Sequence, residues 1–171
     1  MRPFVLLLCL APGAASTGPP SQADLARAAW LGDVDGVRRL LDAGASPSAR
    51  TPAGSTPLGI AAQGGQAEVV ALLLDRGAPP DARGADGFTP LMQAAASGQV
   101  AVARLLLRRG ANPNLRTPDG ISALAVARQT EHLAVARALL DAGAGDEGRL
   151  RRAPAAGAGA GPLTPGAGSA R

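Results

Sequence analysis

The apolar and small residues in the middle of the chain recur every 33 positions. Five columns keep this step: Leu25, Leu58, Leu91 and Leu124; Ala28, Ala61, Ala94 and Ala127; the leucine pairs that begin at Leu40, Leu73, Leu106 and Leu139; Gly44, Gly77, Gly110 and Gly143; and Arg50, Arg83 and Arg116. A fixed period of this length is typical of proteins that stack one supersecondary unit many times. The pattern therefore predicts four copies of one unit.

Each unit is predicted to form a helix, a turn, a second helix and an extended finger. Thr-Pro pairs at residues 56–57 and 89–90 begin the first helix, because threonine caps a helix and proline is tolerated at its first position. The second helix has apolar residues at helical spacing over residues 69–74 and 102–107. Gly77 and Gly110 are predicted to end it as left-handed caps. Turns rich in proline, aspartate and glycine close the fingers.

This pattern closely resembles the ankyrin repeat family. The family's Thr-Pro-Leu element is present at residues 56–58 and 89–91, and its Leu-Leu-x-x-Gly-Ala element at residues 73–78 and 106–111. The resemblance covers about residues 21–144 and implies an all-α solenoid of stacked helix–loop–helix units with β-turn or hairpin fingers. The expected repeats are 21–54, 55–87, 88–120 and 121–144. The first lacks Thr-Pro-Leu and begins at Ser21, as an atypical terminal repeat often does.

The sequence departs from the family pattern in two ways. A histidine usually follows Thr-Pro-Leu, but here the positions hold Gly59, Met92 and Ala125. If nothing replaces its hydrogen bonds, each loss costs about 0.5–1.5 kcal/mol. The fourth repeat has Ser-Ala-Leu at residues 122–124, and Glu131 stands in a turn where glycine is usual. We therefore expect the fourth repeat to fray first.

The two ends of the chain have a different composition. Residues 1–16 combine Arg2, a short apolar run and a small-residue exit, which predicts a secretory signal peptide that removes the only cysteine, Cys9. A mis-chosen start or a buried apolar N-terminus are the alternatives. Residues 145–171 are rich in glycine, alanine and proline, which predicts a disordered tail.

The sequence pI of about 11.1 and the net charge of +4 suggest an anionic partner, but the distribution of the charges weakens that inference. All seventeen basic residues are arginine, but residues 21–144 hold twelve arginines and eleven acids and are nearly neutral. With no tyrosine, two phenylalanines and one tryptophan, the chain has few rings on which bases could stack. We therefore expect no nucleic-acid partner. A charge-driven binder of an anionic surface remains an alternative.

Few residues could carry catalysis. His132 is the only histidine, and it lies where the family often has one at the start of a second helix. The acid pair Asp33 and Asp35 is expected in a solvated loop between helices. No catalytic, cofactor or metal site is predicted, and we expect a protein that is not an enzyme.

The resemblance implies that a partner protein binds the concave surface formed by fingers and first helices. The register places these residues on that surface: in the fingers Ala53, Ser55, Asp86, Phe88, Asp119 and Ile121; on the helices Trp30, Gln63, Ala96 and Gln129. Trp30 and Phe88 are the predicted aromatic anchors. For Trp30 the alternative is packing inside the first repeat.

Three arginines, Arg50, Arg83 and Arg116, lie at the roots of the fingers. One hypothesis makes them a positive stripe that binds an acidic segment of a partner. The favoured interpretation makes them solvated residues near finger acids such as Asp86 or Asp119.

The sequence thus predicts an exported, monomeric ankyrin scaffold without a transmembrane segment in its mature form. Arginine-only usage and alanine and glycine richness indicate a GC-rich genome, and hence a bacterial periplasm or secretion. A secreted effector that binds host proteins is an alternative function. A cytoplasmic location follows if the signal-peptide interpretation is wrong.

Overall fold

A computed structural model describes residues 21–145 of the chain. Within this range the chain forms eight α-helices in four pairs, which are α1 (Gln22–Leu31) and α2 (Val34–Asp42), α3 (Pro57–Gln63) and α4 (Ala67–Asp75), α5 (Pro90–Ala96) and α6 (Val100–Arg108), and α7 (Ala123–Gln129) and α8 (Leu133–Asp141). The predicted all-α solenoid is confirmed.

The helices pack in two parallel rows. The first helices contact one another in the order α1, α3, α5, α7, the second helices follow in the order α2, α4, α6, α8, and each pair packs across the rows. The leucine columns supply the interior, and Leu25, Leu58, Leu73, Leu91, Leu106, Leu124 and Leu139 are its fully buried leucines. Alanine columns between them let neighbouring helices approach closely. The 33-residue period is therefore the packing period of one continuous core.

Hydroxyl side chains cap all four first helices. The Oγ atoms of Ser21, Thr56, Thr89 and Ser122 accept hydrogen bonds from the backbone N–H groups three residues later, at 3.1, 3.1, 3.3 and 3.2 Å. These bonds satisfy donors that the first helical turn would otherwise leave unpaired. The predicted helix starts are confirmed, and Ser122 caps α7 without the proline of the two middle pairs.

The turn between the two helices of a pair needs a left-handed backbone. Gly32, Gly65 and Gly98 have φ of +74°, +74° and +70° there, and Glu131 takes the same place in the fourth pair with φ +59°. A Cβ atom at any of these glycines would also collide with a side chain of the following pair, as at Gly98 with the ring of His132. No fifth pair follows in residues 21–145. The Cβ atom of Glu131 therefore has no such neighbour to collide with, although its positive φ is still unfavourable for a residue other than glycine.

The fingers are tight turns with little strand character. Two backbone hydrogen bonds close each of them. The wider one joins Thr51 N to Ser55 O, Gly84 N to Phe88 O and Thr117 N to Ile121 O, at 2.8–2.9 Å. The tighter one joins Gly54 N to Thr51 O, Gly87 N to Gly84 O and Gly120 N to Thr117 O, at 2.7–3.1 Å. The isolated bridge between Arg116 and Ser122 is the one strand-like pairing in residues 21–145. The expected fingers are therefore β-turns, and hairpin pairing is limited to the last one.

Two sequence predictions lie outside the described residues. They are the signal peptide at residues 1–16 and, beyond Gly145, the disordered tail. Over residues 21–145, no helix has the length and apolar character that crossing a bilayer requires.

Candidate partner-binding surface

Four exposed side chains form a row along the ends of the first helices. They are Trp30, Gln63, Ala96 and Gln129, and we call them the helix row. Trp30 is 51% exposed and Leu31 beside it is 68% exposed. The indole therefore lies at the surface and does not pack inside the first pair, which leaves two large apolar side chains available at the N-terminal end of the row.

The pair that follows holds the backbone beneath the helix row. Gln66 Nε2 donates a hydrogen bond of 3.1 Å to the carbonyl oxygen of Trp30. His132, 66 residues later in the same column, lies with Nδ1 3.0 Å from the carbonyl oxygen of Ala95 and 3.0 Å from Thr130 Oγ1. His132 thus joins two helix pairs, which is a structural use of the only histidine.

The fingers present their tips to solvent but turn their last residue inward. Ala53, Asp86 and Asp119 are exposed, and we call them the finger tips; Ser55, Phe88 and Ile121 are half-buried. Phe88 and Ile121 pack against the core, because each directly precedes a buried cap residue. The expectation that these last residues are exposed is therefore wrong, and Phe88 offers a partner much less surface than Trp30 does.

The root arginines bind backbone carbonyls. Arg83 Nη1 donates to the carbonyl oxygens of Gly87, at 3.0 Å, and of Arg116, at 2.8 Å, and so joins two neighbouring fingers. Arg116 Nη1 donates to the carbonyl oxygen of Gly120 at 2.9 Å. Arg50 is exposed and makes no hydrogen bond or ion pair to the described part of the chain.

The root arginines form no ion pair with Asp86 or Asp119 in residues 21–145. The Asp86 carboxylate accepts a hydrogen bond from Phe88 N at 3.0 Å, within its own turn. The ion pairs found in residues 21–145 involve neither acid. Arg83 and Arg116 bind carbonyl groups of their own turns instead, and Asp86 caps its own turn.

The acid pair near α2 serves to start that helix. Asp33 Oδ1 accepts a hydrogen bond of 2.8 Å from the backbone N–H of Gly36. Asp35 lies in the first turn of α2, with its Oδ1 atom 3.9 Å from Arg38 Nη1. The expectation that both acids lie in a loop is wrong for Asp35. Within the described range, no cluster of three or more histidine, cysteine, aspartate or glutamate side chains could hold a metal ion.

The comparison with known families decides the identity of the fold. A family model described as ankyrin repeats (3 copies) matches residues 25–117, more than half of the chain. The chain belongs to the ankyrin repeat family. Ankyrin repeats generally mediate protein–protein interaction and are not catalytic. A comparison with curated proteins finds no match.

The ankyrin match ends at Thr117, before the fourth helix pair begins. That pair has the same capped start and the same helix lengths of seven and nine residues as the second and third pairs. The stack of helix pairs therefore continues beyond the matched residues, through α8.

Sequence reasoning missed three exposed leucines. Leu31, Leu133 and Leu140 are 68%, 74% and 46% exposed. A signal for the first was present, because the other helix pairs have Gly64, Ser97 and Thr130 in the column of Leu31. Leu31 matters because it adjoins exposed Trp30, and a contiguous exposed apolar patch is what marks an interaction surface.

Proposed function

We propose that this ankyrin stack is a non-catalytic scaffold that binds a partner protein along the helix row and the finger tips. The single observation that carries the proposal is the exposure of Trp30, the only tryptophan, beside exposed Leu31. Tryptophan is the side chain most enriched among residues that dominate binding energy at interfaces. Trp30 is therefore the principal anchor of the proposed surface.

The rest of the helix row suits a peptide backbone or a polar surface. Gln63 and Gln129 are exposed amides that can both donate and accept hydrogen bonds, and Ala96 between them leaves room for close approach. Asp86 and Asp119 give the finger tips a negative charge. Arg83 and Arg116 already donate hydrogen bonds to backbone carbonyl groups. They are therefore weak evidence for a partner with an acidic binding segment.

We propose that the scaffold is exported. The support is the composition of residues 1–16, with one basic residue, a short apolar run and a small-residue exit. N-terminal sequencing of the protein purified from its host tests the export. A mature chain that begins near Thr17 is the expected result, and retention of Met1 in a cytoplasmic fraction contradicts it.

A capture experiment in the native host tests the binding function. The chain from Thr17 onward serves as bait at about 150 mM salt, together with Trp30→Ala and with Arg104→Ala, a matched control in an exposed position of α6. We expect one enriched protein, bound by the wild type and the Arg104→Ala control. Its affinity for Trp30→Ala should fall by about 30-fold or more, since truncating such an anchor costs about 2 kcal/mol or more.

Two results contradict this proposal. Equal affinity of the wild type and Trp30→Ala for the captured protein would remove the helix row as its binding surface. Capture that occurs only at low salt, and that is lost in proportion to salt concentration, would favour charge-driven binding to an anionic surface.

A further inference from the structure

The C-terminal end of the stack exposes an apolar strip on α8. Leu133 is 74% exposed and Leu140 is 46% exposed, and they lie seven residues apart on one face of the helix. Their counterparts one pair earlier, Val100 and Leu107, are half-buried against the core. The difference arises because α8 covers α6, while nothing in residues 21–145 covers α8.

A further ankyrin repeat is a poor cover for this end. Arg128 is exposed in the column where Ala29, Ala62 and Ala95 are fully buried under the next pair. Glu131 occupies the turn where a following pair would place a side chain against glycine. The residues at the end of α7 are therefore unsuited to packing against another helix pair. The two uncovered leucines lie about 10 Å apart along α8, at 1.5 Å per residue, with exposed Arg137 between them.

An unpaired acid stands beside the strip. Asp42 and Asp75 end α2 and α4, and each accepts a bond from an arginine 34 residues later, Arg76 at 2.7 Å and Arg109 at 2.8 Å. Asp141 ends α8 in the same column, is exposed, and has no such partner among the described residues. The first two contacts show that an arginine from the next covering segment fits this position.

The described range ends at Gly145, four residues after this acid. Asn114 Oδ1 accepts the backbone N–H of Gly145 at 2.8 Å, and its Nδ2 donates to the carbonyl oxygen of Gly143 at 3.3 Å. These bonds hold the backbone four residues beyond Asp141. An extended chain covers about 3.3 Å per residue, so the five residues from Gly145 to Leu150 span up to about 17 Å. Gly145 is only four residues from Asp141 and thus at most about 13 Å from it, so Leu150 can reach back to the end of α8.

The sequence that follows has the matching chemistry. Residues 149–152 are Arg-Leu-Arg-Arg, which places Leu150 between arginines. Asp146 and Glu147 precede them and match Arg137, which lies on α8 between the two exposed leucines. We propose that residues 149–152 are an exception to the disorder expected for the tail and dock on the strip, with Leu150 against Leu133 and Leu140 and a flanking arginine on Asp141. The docked segment would cover the two exposed leucines.

Hydrogen exchange of the full chain tests this docking. Leu150→Ser removes the apolar contact, and Leu163→Ser is its matched control, because Leu163 is the other leucine beyond Gly145. We expect amide exchange in α8 to become about three- to tenfold faster in Leu150→Ser, since burial of a leucine side chain is lost. Leu163→Ser should exchange like the wild type. Equal exchange in both variants, fast or slow, would overturn the proposal.

A second measurement separates the tail from another copy of the chain. Asp141→Asn and the triple change of Arg149, Arg151 and Arg152 to Gln should each speed exchange in α8, and combining them should add little. Sedimentation of the full chain should show a monomer at all concentrations. Dimer formation that Leu140→Arg abolishes would mean that a second copy covers the strip, and full additivity of the charge changes would exclude the ion pair.

Discussion

Replacing Glu131 by glycine should stabilise the fourth helix pair. Glu131 is the one non-glycine residue with positive φ in residues 21–145, at +59°, while Gly32, Gly65 and Gly98 serve the same turn in the other pairs. An L-residue in this conformation brings its Cβ too close to the following carbonyl oxygen. The substitution removes that contact and leaves the path of the backbone unchanged.

The expected gain follows from two opposing terms. Relief of the left-handed conformation contributes about 1–2 kcal/mol, and the greater freedom of glycine in the unfolded chain returns about 0.5–1 kcal/mol. The side chain itself adds little, because Glu131 is exposed and forms none of the ion pairs in the described range. The difference lies between about 0 and 1.5 kcal/mol, and we expect a net gain near its middle, about 0.5–1 kcal/mol, concentrated in α7 and α8.

Urea unfolding followed by circular dichroism measures the gain, and hydrogen exchange locates it. With a urea dependence of about 2 kcal/mol per molar, the midpoint should rise by about 0.3–0.5 M. Glu131→Ala is the control, because it removes the carboxylate but keeps the strain. If Glu131→Gly proves no more stable than Glu131→Ala, the left-handed backbone is not a source of strain and the reasoning is refuted.

Three further changes test contacts between helix pairs. Arg83→Ala should cost about 1–2 kcal/mol of unfolding free energy, because two carbonyl groups lose their donor, while Arg50→Ala should stay within about 0.5 kcal/mol; equal costs would contradict the contrast. Asn114→Ala should cost about 1 kcal/mol and speed amide exchange just after α8, and unchanged exchange there would count against its anchoring role. The Asp75–Arg109 pair, with side chains 63% and 38% exposed, should show a double-mutant coupling below about 1 kcal/mol that vanishes in 1 M salt; a salt-independent coupling would disprove a screened surface pair.

Much of the fold follows from local sequence rules. Thr56 and Thr89 could be predicted as caps, because each hydroxyl bonds a backbone N–H only three residues later. Gly77 and Gly110 could be predicted as helix ends, because glycine readily adopts the positive φ, here +86° and +85°, that a helix end requires. The candidate surface was predicted less well. The helix row was expected and is exposed, but Phe88 was expected at the surface and packs against the core instead.

The sequence by itself determined the repeat, its helix starts and ends, and the near-neutral charge of the folded part. These depend on residue spacing and on bonds that span three or four residues. Only the tertiary structure decided that Arg83 joins two fingers, that His132 lies within hydrogen-bond distance of the carbonyl oxygen of Ala95, and that Leu133 and Leu140 are exposed on α8. The first two contacts join residues about 33 positions apart, and the exposed leucines of α8 depend on there being no further helix pair within residues 21–145. The stacking of helix pairs determines both the long-range contacts and the exposure of these leucines, because it decides which side chains the next pair covers.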